Sequence, residues 1–276
     1  MGNDTNNPEI LNPDIFDLSY NRVSQQLFSV LPAFARRLNK SSKFTIGPTF
    51  ESIKVDSVGD EDEVRFISTI TDQFENQQLF EGIEFLGVKT SLDYDVKDNS
   101  AFPTRGLGFK TEVGWKTQLN NPDDKSFAFL NSSLTVYLPL DRNGKLVLGT
   151  RVGVQHRFSN DFEFYQGAIL GGVGPNANLR GFRRERFIGR TAFFQNIDLR
   201  WKLLSFENKK LPFSIGILGG FDHGRVWLEG EESDTWHYSY GGGLFISPLD
   251  IVAIHTSLFF GDGEQQRFVF GGAFFF

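Results

Sequence analysis

The eleven residues from Leu86 to Val96, LGVKTSLDYDV, alternate without a break: Leu86, Val88, Thr90, Leu92, Tyr94 and Val96 share one face, and Gly87, Lys89, Ser91, Asp93 and Asp95 share the other. A period of two is the mark of a β-strand with one apolar and one polar face. Three further stretches repeat it. In LGFKTEVGW, Leu107, Phe109, Val113 and Trp115 oppose Lys110 and Glu112. In AFLNSSLTVYL, Ala128, Leu130, Leu134, Val136 and Leu138 oppose Asn131 and Ser133. In FFQNIDLRW, Phe193, Ile197, Leu199 and Trp201 oppose Asn196, Asp198 and Arg200.

A soluble sandwich alternates too, and length separates the two cases. These runs extend over about 10 to 15 residues, beyond the mode of about five to six for soluble strands. They match the roughly 9 to 11 tilted residues that cross a bilayer. Trp115, Tyr137, Trp201, Trp227, Trp236 and Tyr238 fall near strand ends, where interfacial aromatic girdles sit. Edges must close in lipid, and only a barrel closes them. The fold expected is all-β: an antiparallel transmembrane β-barrel.

Composition narrows the class further. The 276 residues include 31 Phe and 29 Gly, yet only 39% are hydrophobic, which describes an aromatic-rich chain without an aliphatic-rich core. The absence of Cys rules out a disulfide framework and a thiolate metal site. A net charge of -6 argues against nucleic acid as a partner. No apolar run approaches the roughly 18 to 20 residues of a membrane-crossing helix. The N-terminal MGNDTNNPEILNPD has neither the basic nor the apolar region of a signal peptide.

Read backwards from the C-terminus, RFVFGGAFFF, IVAIHTSLFFG, TWHYSYGGGLFISP, LPFSIGILGGFDHGRVW and TAFFQNIDLRWKLL are five strands. Six more precede residue 158: LVLGTRVGVQH, SFAFLNSSLTVYLPL, GLGFKTEVGWKT, FLGVKTSLDYDV, FTIGPTFESIKV and a first around QQLFSVLPAFARRLN. Eleven are visible, whereas single-chain bacterial barrels have even numbers. About twelve are therefore expected in the barrel of residues 24–276. The N-terminal segment 1–23 supplies a hidden strand at FDLSYNRV (Phe16 to Val23), or the chain is part of a larger barrel, or a homodimer covers the edge. Short links (NKSSK, DNSAFPTRG, DRNGK, FENKK, SPLD) alternate with long ones at Asp56 to Glu84 and Phe158 to Arg190. Short turns face the periplasm in such barrels, and the C-terminus ends on that side. In the first long loop Val64, Ile67, Ile70 and Phe74 recur at helical spacing, which predicts a short surface helix.

The second long loop gathers unusual charge: five of the twenty residues from Gly171 to Arg190 are arginine. Its LGGVGPNANLRGF, followed by QNIDLRW and then GGFDHGRVW in the next two strands, resembles the outer-membrane assembly-factor superfamily, also called the Omp-eighty-five or bacterial surface antigen superfamily. That group includes the Bam and Tam assembly barrels and the two-partner-secretion transporters. DNSAFPTRG is similar to its periplasmic turn. The final FGGAFFF, with Phe270, Gly272, Phe274 and Phe276 on one face, looks like the C-terminal insertion signal of outer-membrane barrels. The family usually carries periplasmic repeat domains before its barrel. This chain has none and looks closest to the barrel-only relatives.

The resemblance implies that the loop, through Leu179, Arg180, Gly181 and Phe182, folds back into the lumen and that its arginine meets acidic residues of the wall. Strand parity permits this independently. With Leu199 and Trp201 facing lipid, Asp198 faces inward; with Phe213, Ile215, Ile217 and Phe221 facing lipid, so does Asp222. One guanidinium can bridge two carboxylates through its fork of donors. Arg180 is the candidate pin, and Gly181 allows close backbone approach. Arg183, Arg184, Arg186 and Arg190 read as lumen-lining or surface charges, with Glu185 a partner for one of them.

The function implied is insertion or translocation of protein or lipid at the bacterial outer membrane, with outer-membrane lipid and a client protein or lipid as partners. A passive pore or structural barrel is the alternative. No catalytic residue, metal or cofactor is expected. His156, His223, His237 and His255 are scattered, HExxH and GxSxG are missing, GGVGPN lacks the Lys-Ser/Thr of a phosphate loop, and His255 with Ser257 lies on the inward face of an ordinary strand.

Overall fold

The computed structural model describes residues 25–55, 82–100, 102–119, 125–172, 177–207, 212–249, 251–272, 274 and 276. The strand expected at Phe16 to Val23 and the helix expected between Val64 and Phe74 lie outside them. One antiparallel sheet holds twelve strands: β1 (Gln25–Val30), β2 (Phe34–Arg37), β3 (Ser42–Val55), β4 (Ile83–Lys97), β5 (Gly106–Gln118), β6 (Ser126–Pro139), β7 (Leu146–Arg157), β10 (Thr191–Phe206), β11 (Phe213–Trp227), β12 (His237–Pro248), β13 (Ile254–Gly261) and β14 (Arg267–Gly271). Two short strands, β8 (Ala168–Leu170) and β9 (Phe187–Gly189), form a separate hairpin within the long loop. No helix among the described residues is long and apolar enough to cross a membrane.

Twelve strands fill only eleven positions, because β1 and β2 both pair with β3 in a single register, Val30 opposite Phe50 and Phe34 opposite Ile46. That register sets Pro32 opposite Pro48. Neither proline has an N–H to donate, so the ladder breaks there and the first strand is split. Gly47 relieves the crowding: a Cβ on it would lie 2.0 Å from the Pro32 carbonyl oxygen. Among the described residues no ladder joins the free edge of β1 and β2 to β14.

Parity sorts the two faces as the sequence predicts. Leu86, Val88, Val113, Trp115, Leu134, Leu199 and Trp201 are exposed on the outer surface, which reads as the lipid face of a barrel. Tyr137 is a correction: it lies inward and is fully buried, because Leu138 takes the outward position beside it. The abundance of Phe and Gly also finds its reason on the inner face. Four cross-strand pairs, Gly114 with Phe129, Gly153 with Phe194, Gly216 with Phe245 and Gly241 with Phe259, set a phenylalanine ring over a glycine of the neighbouring strand. A Cβ on any of these glycines would lie 2.2 to 2.7 Å from ring atoms. Glycine thus makes the hollow and phenylalanine fills it, an arrangement that shields backbone where a wall curves tightly.

The strand ends at Arg37, Lys97, Pro139, Phe206 and Pro248, each followed by a short link, lie at one end, and the C-terminal Phe276 lies with them. Packing narrows that end on one side. In the turn after β4, the Asp98 carboxylate accepts from the backbone N–H groups of Asn99, Thr104 and Arg105 and from the Thr104 hydroxyl. Slight burial of Asp98 opposes ionisation, but these donors hold its carboxyl below the ordinary value. Its contribution is complete above the unfolded carboxylate's pKa and is lost as pH falls through the lower folded one. The hub tucks Phe102 into the barrel mouth, against Val147, Leu218, Phe245, Ala253 and Phe274.

The C-terminal stretch corrects the expectation. β14 stops at Gly271, and the alternation that would keep Phe270, Gly272, Phe274 and Phe276 on one face lasts only as long as the ladder. Phe270 faces outward at 73% exposure, whereas Phe274 is 6% exposed inside the cluster just described. Phe276 reaches across the lumen to stack on Tyr137 of β6, with ring centroids 6.4 Å apart. Beyond the ladder an aromatic side chain gains more from the apolar interior than from an unpaired position at the rim.

Candidate functional site

The site is built from two cross-sheet rows. The first runs Arg151 of β7, Asn196 of β10, Asp222 of β11, Ser239 of β12 and Gly261 of β13, each the register partner of the next. The second runs Asp198, Gly220, Gly241 and Phe259. All these side chains point inward, so the wall presents two acids beside a glycine-lined hollow. The loop brings Arg180 down into it.

Arg180 is fully buried. Its Nη1 donates to Asp198 Oδ1 at 2.6 Å, its Nη2 to Asp222 Oδ1 at 2.5 Å, and its Nε to both Asp222 oxygens at 3.0 Å. Its backbone N–H adds a bond of 2.9 Å to Asp222 Oδ2. The guanidinium lies over the Phe259 ring, 4.3 Å from the centroid, and against Gly220, where a Cβ would sit 2.8 Å from Nη2. Asp198, Asp222 and Arg180 thus meet as the sequence proposed. Leu179 and Phe182 do as well: both are buried with Leu170, Phe187, Phe194 and Val226, and this apolar cluster seals the loop above the ion pairs.

Gly181 has a steric role. A Cβ there would lie 2.4 Å from the Phe260 carbonyl oxygen, and one on Gly261 would lie 2.8 Å from the Gly181 carbonyl oxygen, so loop and β13 touch backbone to backbone. We expect Gly181→Ala to lift the loop and to destabilise the barrel by about 1 to 3 kcal/mol, the usual cost of overpacking. Denaturant unfolding of the variant in detergent measures it, and a loss below about 0.5 kcal/mol would remove the steric argument.

Several partners were not singled out from the sequence. Asn196 Nδ2 donates to Asp222 Oδ1 at 2.8 Å and to the Asn178 carbonyl at 3.1 Å, while Ser239 Oγ donates to Asp222 Oδ2 at 2.8 Å. Arg151 donates to Asn196 Oδ1 from Nε at 3.0 Å and from Nη2 at 2.7 Å, and Nη2 also reaches the Ala177 carbonyl. Asn178 clasps the loop to itself, donating to the Ile169 carbonyl and accepting from the Gly171 N–H. Arg200 donates from Nη2 to Asp198 Oδ2 at 3.3 Å and stacks on Phe274 at 4.2 Å. Inward parity was the available signal for Arg151, Asn196, Arg200 and Ser239.

The other loop arginines are peripheral. Arg183 and Arg186 donate to Glu264 Oε1 at 3.2 and 2.7 Å, and Arg267 approaches Oε2 at 3.5 Å. Arg184 pairs with Glu185, its side chain 86% exposed. Arg190 meets Glu229. Among the described residues no group of His, Asp or Glu is arranged to hold a metal ion.

A transmembrane barrel with an extracellular-type loop pinned in its lumen by one arginine and two wall carboxylates is a defined class of protein. The Omp85 superfamily domain matches residues 11–273, and the chain belongs to that superfamily. Among solved structures it is similar in fold to BamA from Haemophilus ducreyi lacking POTRA domains 1-3, with a TM-score of 0.62 and 17% identity over 91% of this chain and 55% of that one. It is also similar to CdiB from Escherichia coli, with a TM-score of 0.53 and 12% identity over 90% of this chain and 43% of that one. The chain therefore spans about half the length of these structures. No curated protein matches it in sequence.

Proposed function

We propose that the chain is an insertion or translocation barrel of the bacterial outer membrane, acting on a client protein or lipid, rather than a passive pore. The observation that carries this reading is the loop pinned inside the lumen. The Arg180 loop occupies its middle, and Phe102, Phe245 and Phe274 pack across its short-turn end. That packing fills one side of the lumen and narrows the aqueous path on which a passive pore depends. The unequal edges support the same reading: the 13-residue span of β1 and β2 (Gln25–Arg37) faces a β14 of only 5 residues. A client strand that pairs with the edge of β1 and β2, which no described strand covers, would satisfy backbone groups that lipid cannot. Such a role needs no covalent step, and none is assigned to the histidines.

The test is reconstitution into phospholipid vesicles, with two readouts. An assembly barrel accelerates folding of an added unfolded outer-membrane protein and gives little steady conductance in planar bilayers. Steady open-channel conductance without any acceleration of client folding would favour the pore. A second copy of the chain on the same edge would instead appear as a stable dimer by light scattering.

A further inference from the structure

Near the short-turn end a different row crosses the other half of the lumen. Arg37 of β2, Lys43 of β3, Asp93 of β4 and Lys110 of β5 are successive register partners. Their inward orientation follows from unbroken parity with buried Thr49, Ile53, Phe85 and Gln118 on the same strands. Arg37, Lys43 and Lys110 are all exposed, and among the described residues their side chains make no ion pair or hydrogen bond. The neighbouring lumenal lysines are paired: Lys89 with Glu112, Lys97 with Asp95 and Lys116 with Glu51. The row thus holds three cations to one carboxylate, Asp93, which stands opposite both Lys43 and Lys110 and forms no ion pair among the described residues. Like charges directly opposite on adjacent strands destabilise a sheet, yet Arg37 stands opposite Lys43.

The row also opens toward lipid. Arg36 precedes Arg37 on the same strand and therefore points outward, on the side of the exposed Phe34. The turn beyond carries Lys40, also exposed. No strand among the described residues covers the far edge of β2. Consecutive arginines thus sit on the two faces of an uncovered edge strand, one toward the membrane and one toward the lumen.

We propose that this row is a binding site for the anionic headgroup of a phospholipid from the leaflet at the short-turn end, taken in over the edge of β2 from Arg36 to Arg37, Lys43 and Lys110. Guanidinium and ammonium groups supply the charge and the donors a phosphodiester needs. Phe34 of β2, opposite Ile46, and Phe44 of β3, opposite Arg36, share the lipid face and offer the acyl chains an apolar surface outside the wall. The proposal rests on the membrane placement of the barrel and not on client assembly, so its failure and the failure of that activity are read in separate assays.

The probe is mixed vesicles of phosphatidylglycerol in phosphatidylcholine, from which the protein is extracted and the retained lipid weighed by native mass spectrometry. The parent should retain phosphatidylglycerol selectively. The combined variant Arg37→Gln, Lys43→Gln and Lys110→Gln should lose that selectivity on the order of a hundredfold, given the usual worth of three basic residues near anionic lipid. Heat-modifiable gel mobility checks that the variant is folded, and Lys43→Gln alone serves if it is not. Equal retention by folded parent and variant overturns the proposal. So does binding of inorganic phosphate or of a poly-glutamate peptide by the parent without lipid selectivity, which would assign the row to a soluble anion or an acidic partner.

Discussion

Arg180→Ala should destabilise the barrel by about 3 to 5 kcal/mol, because it removes the guanidinium that bridges two buried carboxylates and leaves Asp222 without its ion-pair partner in a dry site. The figure depends on water. An exposed pair would return only about 0 to 1 kcal/mol, and a hydrated lumen would have put Arg180 in that class. Instead Arg180, Asp198 and Asp222 are all fully buried, sealed by Leu179 and Phe182 on one side and Phe259 on the other. After removal Asp198 keeps its bond from Arg200, whereas Asp222 keeps only neutral donors, Asn196 and Ser239, with Arg151 held at one remove through Asn196. Asp222→Ala should therefore cost at least as much as Asp198→Ala, since Asp222 receives the Nε, the Nη2 and the backbone N–H of Arg180. Arg180→Lys should not rescue the site, because a single ammonium cannot reproduce the bridging fork. Unfolding in detergent gives the energies, and protease cleavage within residues 158–190 reports the loop. If Arg180→Ala left both unchanged, the pin would be abandoned.

The sequence made the sheet legible because lipid enforces alternation on every strand. Leu86 to Val96 shows this: each residue's face follows from its neighbour's, and the same parity aims Asp198 and Asp222 inward before any contact is known. Arg180 was found differently, through a motif whose spacing to those two strands matched a known family. Parity alone did not distinguish Asn196, Arg151 or Ser239 from other inward polar residues, because their importance depends on which residues the loop carries down to them. The split of the first strand was legible in principle from Pro32 and Pro48, but only once the register was known. Loop content was the least legible, since Asn178 acts on its own backbone and leaves no periodic trace.

The C-terminal stretch is where alternation misleads, and substitution there separates the two arrangements. Phe274→Ala should cost about 3 to 5 kcal/mol, the range for emptying a buried phenylalanine site. Its ring lies 5.5 Å from Phe102 and 5.3 Å from Phe245, both edge-on, and parallel to the His255 ring at 6.2 Å. The Arg200 guanidinium lies 4.2 Å from its centroid, so the change would also remove the nearest of the three rings, with Tyr137 and Phe276, that cover that buried cation. Phe270→Ala should cost far less, because at 73% exposure the ring meets lipid and a smaller side chain lets lipid follow. If the alternating pattern of β14 continued to the end of the chain, both rings would face lipid and the two variants would unfold alike. Equilibrium unfolding of the pair in the same detergent decides between these outcomes, and a Phe270 variant as damaged as the Phe274 variant would return the tail to the barrel wall.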